Sequence, residues 1–499
     1  MTLPRPIVAG PQFILATRDT GYRSVPAAIA ELIDNAVQAH ANRVRILVRE
    51  EQPLDLTGVP SSRDLTIGVL DNGRGMDHES LWTAVQFGGT ERFNDRSGIG
   101  RFGMGLPNSS VSVTRRLEVY SWQRPGEVLF TYLDIDEVSR LLDGIPEPRN
   151  RPLPLWAAEA AAPSGTLVVW PRCDRLHFKK AKTIAEKLHA PLGRLYRRLI
   201  WRGLGLTVNG EPVVPIDPLF CHPETCVGGA TAYGAPLTFE IALPENGRSS
   251  QITVRFTELP VIRWHGRTVE EKRAAGIVGG AGVSFMRAGR EIDHCWQLFG
   301  GKRRENYDDW WRCEVSFEPD LDEYFGVTHS KQGVSPTPYL RSILEPDLEA
   351  AARTLNARVR TAFENVKKVA PSPATSRATR QDPLLPPIPS RAKATARRGL
   401  SYGIGVAAIA APDFFKVTEQ KGRLKITINT EHPFYERLYA PAGADPSGHE
   451  RHAIECLILA AGRAFLTISR SRGHKWASAY CESWSDALAA FLETKRARS

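Results

Sequence analysis

Cysteine and methionine are scarce in this 499-residue chain, which has seven of one and four of the other. Seven is an odd number, and the cysteines are scattered from Cys173 to Cys481. That pattern excludes a disulfide framework and fits buried thiols of a reducing cytoplasm. The closest pair, Cys221 and Cys226 around His222, lacks a second ligand pair and reads as loop thiols rather than zinc ligands. No basic segment followed by an apolar run opens the chain. The longest uncharged apolar stretch, around Tyr402 to Ala411, is about half a membrane span. A soluble, cytoplasmic protein with no membrane partner is the expectation. An internal repeat is absent too. The last hundred or so residues hold no DQHAxxE-like metal motif, no Cys/His cluster and no nucleophile elbow, so no nuclease is inferred there.

What is present describes a folding chain. A hydrophobic fraction of 42%, with 11 Trp, 12 Tyr and 19 Phe and 24% charged residues, excludes disordered, collagen-like and coiled-coil classes. The length suits two or three cores. Lysine plus arginine number 65 against 55 acids, a formal net charge of +10. The excess is concentrated: between Val366 and Leu400 eight basic residues face one acid, Asp382, and six prolines fall between Pro371 and Pro389. This stretch has little to bury and reads as a basic, proline-rich linker. Four segments follow: 1–173, where short strands alternate with helices around glycine-rich turns; 174–365; the linker 366–400; and 401–499.

The second segment opens with a helix rich in Lys and Arg, about Lys179 to Arg202, leading into the strand and turn LTVNG. Strand-like runs recur at Gln251 to Phe256, Gly282 to Met286 and Cys313 to Phe317, and a helix from about Pro338 to Val366 closes it. The last segment reads as a strand at Leu424 to Asn429, an apolar helix from about His449 to Thr467 and a terminal helix near Ser485 to Thr494. Fold class is therefore α+β, with three α/β domains. Two basic features are ambiguous between nucleic-acid contact and ordinary solvated surface. One is Lys302, Arg303 and Arg304 beside Tyr307, Trp310 and Trp311; the other is Arg194, Arg197, Arg198 and Arg202 at near-helical spacing.

Three motifs carry chemistry. The pattern from Pro26 to Ala39 predicts a helix with Ile29, Leu32, Ile33, Ala36 and Val37 as its core face. Glu31, Asp34, Asn35 and Gln38 share the opposite side, which an isolated helix would simply present to solvent. Next, a buried strand from Leu65 to Leu70 ends in Asp71-Asn72-Gly73-Arg74-Gly75-Met76. An aspartate leaving a strand can accept a hydrogen bond from an exocyclic amine, and glycine lets a flat base approach the backbone, although a tight turn is the plain alternative. Third is Ser97-Gly98-Ile99-Gly100-Arg101-Phe102-Gly103-Met104-Gly105, before a helix-competent run from Leu106 to Val113. Such a loop offers backbone N–H groups to phosphate oxygens at a positive helix end. It does not follow the first strand of a βαβ unit, so the dinucleotide-fold reading fails.

Together with the later strand Ser164 to Val169, these motifs resemble the GHKL ATPases: gyrase B, heat-shock chaperones, histidine kinases, MutL-type mismatch-repair proteins and the MORC family. The wording GYRSVPAAIAELIDNAVQA, DNGRGM and GIGRFGMG is most similar to MORC and its bacterial relatives. The resemblance is close over about Thr20 to Trp170 and looser to about Val366. It implies a Bergerat-type ATP-binding α/β sandwich followed by a transducer-like α/β domain. It makes Glu31 the base that polarises water, Asn35 the Mg²⁺ ligand and Asp71 the adenine-binding acid. Gly73, Gly75, Met76 and Thr166 would lie around the base, and Gly98, Gly100, Gly103, Met104 and Gly105 over the phosphates, within a lid from Gln86 to Gly105. Asp34 is left between a supporting role and a surface one. Because histidine kinases usually lack an acid matching Glu31, hydrolysis is favoured over phosphotransfer.

In GVTHSKQGV the resemblance marks Lys331 as a transducer lysine reaching the γ-phosphate, with Thr328 and Gln332 beside it. It implies an ATP- and Mg²⁺-dependent homodimeric switch or clamp acting in bacterial DNA repair or antiphage defence. Partners would include a helicase or nuclease and DNA, held nonspecifically through basic linker and surface. The C-terminal segment would dock or dimerise. Two alternatives stay open: a chaperone-like protein-remodelling ATPase without DNA affinity, and a nucleotide sensor with negligible turnover.

Overall fold

A computed structural model describes residues 10–22, 24–51, 64–89, 103–140, 144–225, 228–243, 247–296, 304–327, 333–367, 372–386, 388, 399–409, 412–420, 422–443 and 448–492. Gly98, Gly100, Cys226, Thr328, Lys331 and Gln332 lie outside the described residues. The chain divides into two compact units. One comprises Met1–Thr257, Gly282–Arg304 and Arg312–Glu349; the other Glu258–Ala281, Glu305–Trp311 and Ala350–Ser499.

The first unit opens with α1 (Gly10–Thr20) and α2 (Val25–Gln38). Ser24 starts α2: its backbone is extended and its Oγ accepts from Ala27 N (3.4 Å), while Pro26 sits in the first turn, where an N–H would have no partner. An eight-stranded sheet follows, built from β1 (Arg43–Glu51), β2 (Asp64–Asp71), β3 (Arg116–Trp122), β4 (Leu129–Asp134), β5 (Arg149–Asn150), β6 (Gly165–Trp170), β7 (Gly205–Val208) and β8 (Glu211–Pro212), in the order β5-β4-β3-β6-β2-β1-β7-β8. Val44, Ile46 and Val48 of β1 alternate into a core shared with Ile29 and Ile33 of α2. The opposite face of the sheet buries Leu70, Tyr120, Trp122, Phe130 and Leu167. With both faces covered, β2 and β6 are apolar and buried nearly throughout, which explains their unbroken hydrophobic runs.

Helices α3 (His78–Val85) and α4 (Gly105–Val111) flank the glycine-rich loop, and α5 (Ile135–Arg140) and α6 (Leu155–Ala158) are short. The basic helix is two pieces, α7 (Ala181–Leu195) and α8 (Arg197–Trp201). Ile184, Leu188 and Leu192 of α7 join the core of the first sheet, and β7 runs parallel beside β1. This layer therefore extends to Pro212, past residue 173, because β7 offers its unpaired edge to β1.

A second sheet holds β9 (Thr231–Ala232), β10 (Leu237–Leu243), β11 (Arg248–Glu258), β12 (Val283–Arg287), β13 (Arg290–Trp296) and β14 (Trp311–Phe317), ordered β10-β11-β14-β12-β13 with β9 beside β11. β12 and β14 are parallel; β12 and β13 form a hairpin closed by Ala288 and Gly289, both at positive φ.

In the other unit, α9 (Val261–Trp264) and α10 (Val269–Ala274) precede Trp310, which packs edge-on to Phe363. Trp310 and Trp311 are buried, and Trp311 Nε1 donates to Asn356 Oδ1 (2.8 Å). They are core, not a nucleic-acid grip. Short α11 (Asp322–Phe325) belongs to the first unit, and α12 (Pro338–Lys367) is the long closing helix. The expected linker differs: its residues 373–381 form α13 (Pro373–Gln381), capped by Ser372 Oγ on Thr375 N (3.2 Å), with Ala374 fully buried. Asp382, the stretch's single acid, is buried, accepting from Arg463 Nε (2.7 Å) and Leu400 N (2.7 Å). A three-stranded sheet of β15 (Ser401–Ala407), β16 (Phe415–Gln420) and β17 (Arg423–Asn429) packs with α14 (His449–Arg472) and α15 (His474–Leu492). His449–Ser471 is long and apolar enough by composition to cross a membrane, with mean hydropathy 1.4. In this fold Ile458, Leu459 and Leu466 from it join the core, and its Glu455 and Arg463 pair with Arg451 and Asp382.

Candidate functional site

The end of β2 builds one side of the site. Asp71 is paired in register with Thr166 of β6, and Thr166 with Ser121 of β3, so three polar side chains cross the sheet in a row. Asp71 Oδ1 accepts from Gly73 N (2.7 Å), which curls the following loop back over the carboxylate. Ser121 Oγ lies 3.0 Å from Thr166 Oγ1 and accepts from Met76 N (2.8 Å). Ser121 carries no local sequence signal, because its role arises only when β3 and β6 pair. Gly75 has φ +70°, and a Cβ there would overlap the Trp122 carbonyl, so only glycine allows this close backbone approach. Asn72 is structural: its Oδ1 accepts from Asn42 N (3.0 Å) and Arg43 N (2.8 Å). Burial pushes the Asp71 carboxyl up to about 6, and hydrogen bonds from the Gly73 and Thr166 backbones only partly offset this.

The other side is α2. Arg74 N donates to Ala39 O (3.0 Å), which ties the loop after Asp71 to the C-terminal end of this helix. Two turns back stands Glu31, buried, with the Tyr22 hydroxyl 3.3 Å from its Oε2. Burial, and then the charge of Glu31, raise the Tyr22 pKa, so the phenol remains a proton donor. Asn35, one turn after Glu31, is partly exposed. The backbone of Gly105 at the start of α4 lies against the Glu31 carboxylate, and a Cβ at that position would run into it. Gly88 N donates to Gly103 O (3.1 Å), which brings together the two ends of the segment that holds the glycine-rich motif. Met104 is the residue before α4 and makes no side-chain cap.

The polar face of α2 is only partly solvated. Asp34 is fully buried, with the Tyr196 hydroxyl 2.8 Å from Oδ1 and Arg290 Nη1 2.9 Å from Oδ2. These partners stand far downstream in the sequence, where no local pattern reveals them. Nor are Arg194, Arg197 and Arg198 a nucleic-acid surface. Arg194 donates to Glu291 (2.6 Å), fully buried Arg197 pairs with Glu291 and Glu314, and Arg198 pairs with Glu314. Their charge is absorbed inside the first unit.

Glycines 75 and 105 leave cradles that a side chain would fill, beside a buried carboxylate at one end and a buried acid with a neighbouring amide at the other. Those features fit a flat base and a polyphosphate. Among the described residues no group of three or more His, Cys, Asp or Glu is placed to hold a metal. The amide of Asn35 is an oxygen donor of the kind that can take a hard divalent ion when phosphates and water supply the other ligands. The three anchors, Glu31, Asn35 and Asp71, fall on one side of a helix and the end of one strand.

That combination of helix, strand end and glycine loop defines a nucleotide-binding class. Residues 22–150 match the family described as histidine kinase-, DNA gyrase B-, and HSP90-like ATPase, so this part of the chain is a domain of that family. The chain is also similar to ATPase MORC2B of Mus musculus, 31% identical over 212 residues, covering 40% of this chain and 19% of that protein. It is similar to ATPase MORC2 of Homo sapiens, 30% identical over 150 residues, covering 30% of this chain and 14% of that one. The chain thus spans less than a fifth of the length of these relatives.

Proposed function

We propose that the protein is a Mg²⁺-dependent ATP hydrolase that works as a nucleotide-gated, dimerising switch. The observation carrying this reading is Glu31, buried on α2 against the Gly105 backbone and one turn before Asn35, with Asp71 at the end of β2, whose following loop is tied to the end of the same helix. Asp71 accepts from the adenine amine, and Thr166, Ser121 and the Gly73–Met76 backbone frame the base. Asn35 holds the metal ion, which when bound neutralises phosphate charge. Glu31 draws a proton from water lined up on the terminal phosphate, and its burial beneath the lid base keeps bulk water away. Lys331, which follows α11 in the sequence, is assigned to the terminal phosphate by the resemblance, adding positive charge as the phosphoryl group departs. The Gln86–Gly105 segment is the lid, whose ordering over nucleotide offers a surface to a second copy.

Phosphate release measured beside calorimetric ATP binding tests the assignment. Glu31→Ala is expected to keep nucleotide affinity within a few-fold and lose turnover by about two to four orders of magnitude. Equal rates in the variant and the wild type remove Glu31 from the chemistry, and absence of any adenine-nucleotide binding removes the function. DNA is the proposed target, supported by the basic residues at 391–398, and the switch is placed in a bacterial DNA-repair or defence system with helicase or nuclease partners.

A further inference from the structure

Arg290 is the first residue of β13, immediately after the two-residue turn that closes the β12–β13 hairpin, and it is 4% exposed. It belongs to the second sheet, yet its guanidinium stands beside Asp34 of α2, with Nη1 2.9 Å from Oδ2. Nη1 and Nε have no hydrogen-bond partner among the described residues, so the contact with Asp34 is one of charge rather than of aligned donors. A buried cation with so few donors satisfied is costly, and Asp34 is the nearest compensation.

The tip of this hairpin has little freedom. Ala288 and Gly289 both hold positive φ, and Ala288 N donates to Phe317 O (3.1 Å). On the other side of the turn, Arg287 Nε donates to Asp322 Oδ1 (2.6 Å), and Glu291, next to Arg290, is held by Arg194 and Arg197. Asp293, further along β13, accepts from Val334 N (3.1 Å). The second sheet therefore grips α2 through a rigid element. Asp34 is three residues from Glu31 on the same helix, and the Tyr196 hydroxyl, 2.6 Å from Ala30 O, holds the intervening turn.

We infer that Arg290 is a positioning residue for hydrolysis: through Asp34 it fixes α2 so that the Glu31 carboxylate stays against Gly105. The inference rests on the ATPase reading above. Displacing a catalytic group by about 1 Å costs on the order of 100-fold in rate, whereas Asp71 stands on β2 and not on the helix that Arg290 holds.

The test compares wild type, Arg290→Met and Arg290→Lys in the full chain by steady-state phosphate release, ATP calorimetry and hydrogen exchange of the α2 amides. Arg290→Met is expected to lose ~10- to 100-fold in kcat with ATP affinity changed less than about threefold, and to speed exchange in α2. Arg290→Lys, which keeps the charge, is expected to recover most of the rate. Unchanged kcat in Arg290→Met, or a fall in affinity equal to the fall in rate, overturns the inference. If the wild type binds ATP but releases no phosphate, the hydrolase reading fails; faster α2 exchange in Arg290→Met then still upholds the grip on α2, and unchanged exchange overturns it.

Discussion

Asp71 does opposite things to binding and to stability. Its carboxyl, raised to about 6 by burial, sits above the ordinary aspartate value of 3.8. Between those values the folded chain holds a proton that the unfolded chain has released, so this group makes the protein less stable as pH rises from about 4 to 6. A nucleotide favours the opposite, since the ionised carboxylate is the stronger acceptor for an adenine amine. ATP affinity is therefore expected to be flat well above pH 6 and to weaken as pH falls through about 6, as read by calorimetry. Asp71→Asn keeps an oxygen for the Gly73 N–H and removes the buried charge. It is expected to abolish ATP binding while raising the denaturation midpoint of the nucleotide-free protein, with a gain on the order of 2 kcal/mol. A variant that is destabilised as well as non-binding would mean that Asp71 serves mainly the fold.

Elements are joined by charge in this molecule as much as by apolar contact. Arg197 of α8 is 1% exposed by side chain and faces the carboxylates of Glu291 on β13 and Glu314 on β14, each 2% exposed. Removing the central cation leaves two buried acids short of compensation, which costs about 3–5 kcal/mol. Arg197→Met is expected to lower the denaturant midpoint strongly. Arg198→Ala, whose side chain is 24% exposed and which shares Glu314 with Arg197, is expected to cost about 1 kcal/mol or less. Comparable losses in both variants would show that the network is solvent-screened. The same residues mark how far the sequence can be read. Helical spacing found α2 and placed Glu31, Asn35 and Asp34 on one face, and the apolar run ending in Asp71 found β2 with its corner. Nothing local says that the polar face of α2 is covered, because Tyr196 and Arg290 reach it from other elements. Proline and basic content flagged 366–400 as a linker, yet Ser372 before Pro373 is a helix-start signal that composition averaged away. A proline-rich stretch can still order when a few small residues, such as Ala374, find a core.

At the scale of the whole chain, the buried ion pairs show which arginines are not open to an acidic partner, while the formal +10 hardly changes because the acids are taken up with them. Arg194, Arg197 and Arg198 are taken by Glu291 and Glu314, Arg287 by Asp322, and Arg463 by Asp382. Deleting 366–400 would remove α13 and its buried neighbours, and loss of DNA binding in such a deletion would report a damaged core. The informative variant changes charge alone: Arg391, Lys393, Arg397 and Arg398 all to Gln, leaving Ser372 to Asp382 untouched. Retention of nonspecific duplex DNA by the wild type is expected to weaken steeply between low and moderate salt. In the quadruple variant the log–log slope is expected to shrink by about 0.9 for each phosphate the protein no longer neutralises, hence by as much as roughly 3 to 4. Phosphate release without DNA should be unaltered, since none of these four side chains has a part in the proposed hydrolysis. An unchanged slope would place DNA binding elsewhere on the chain, and salt-insensitive retention in the wild type would favour a protein client over nucleic acid as the target of the switch.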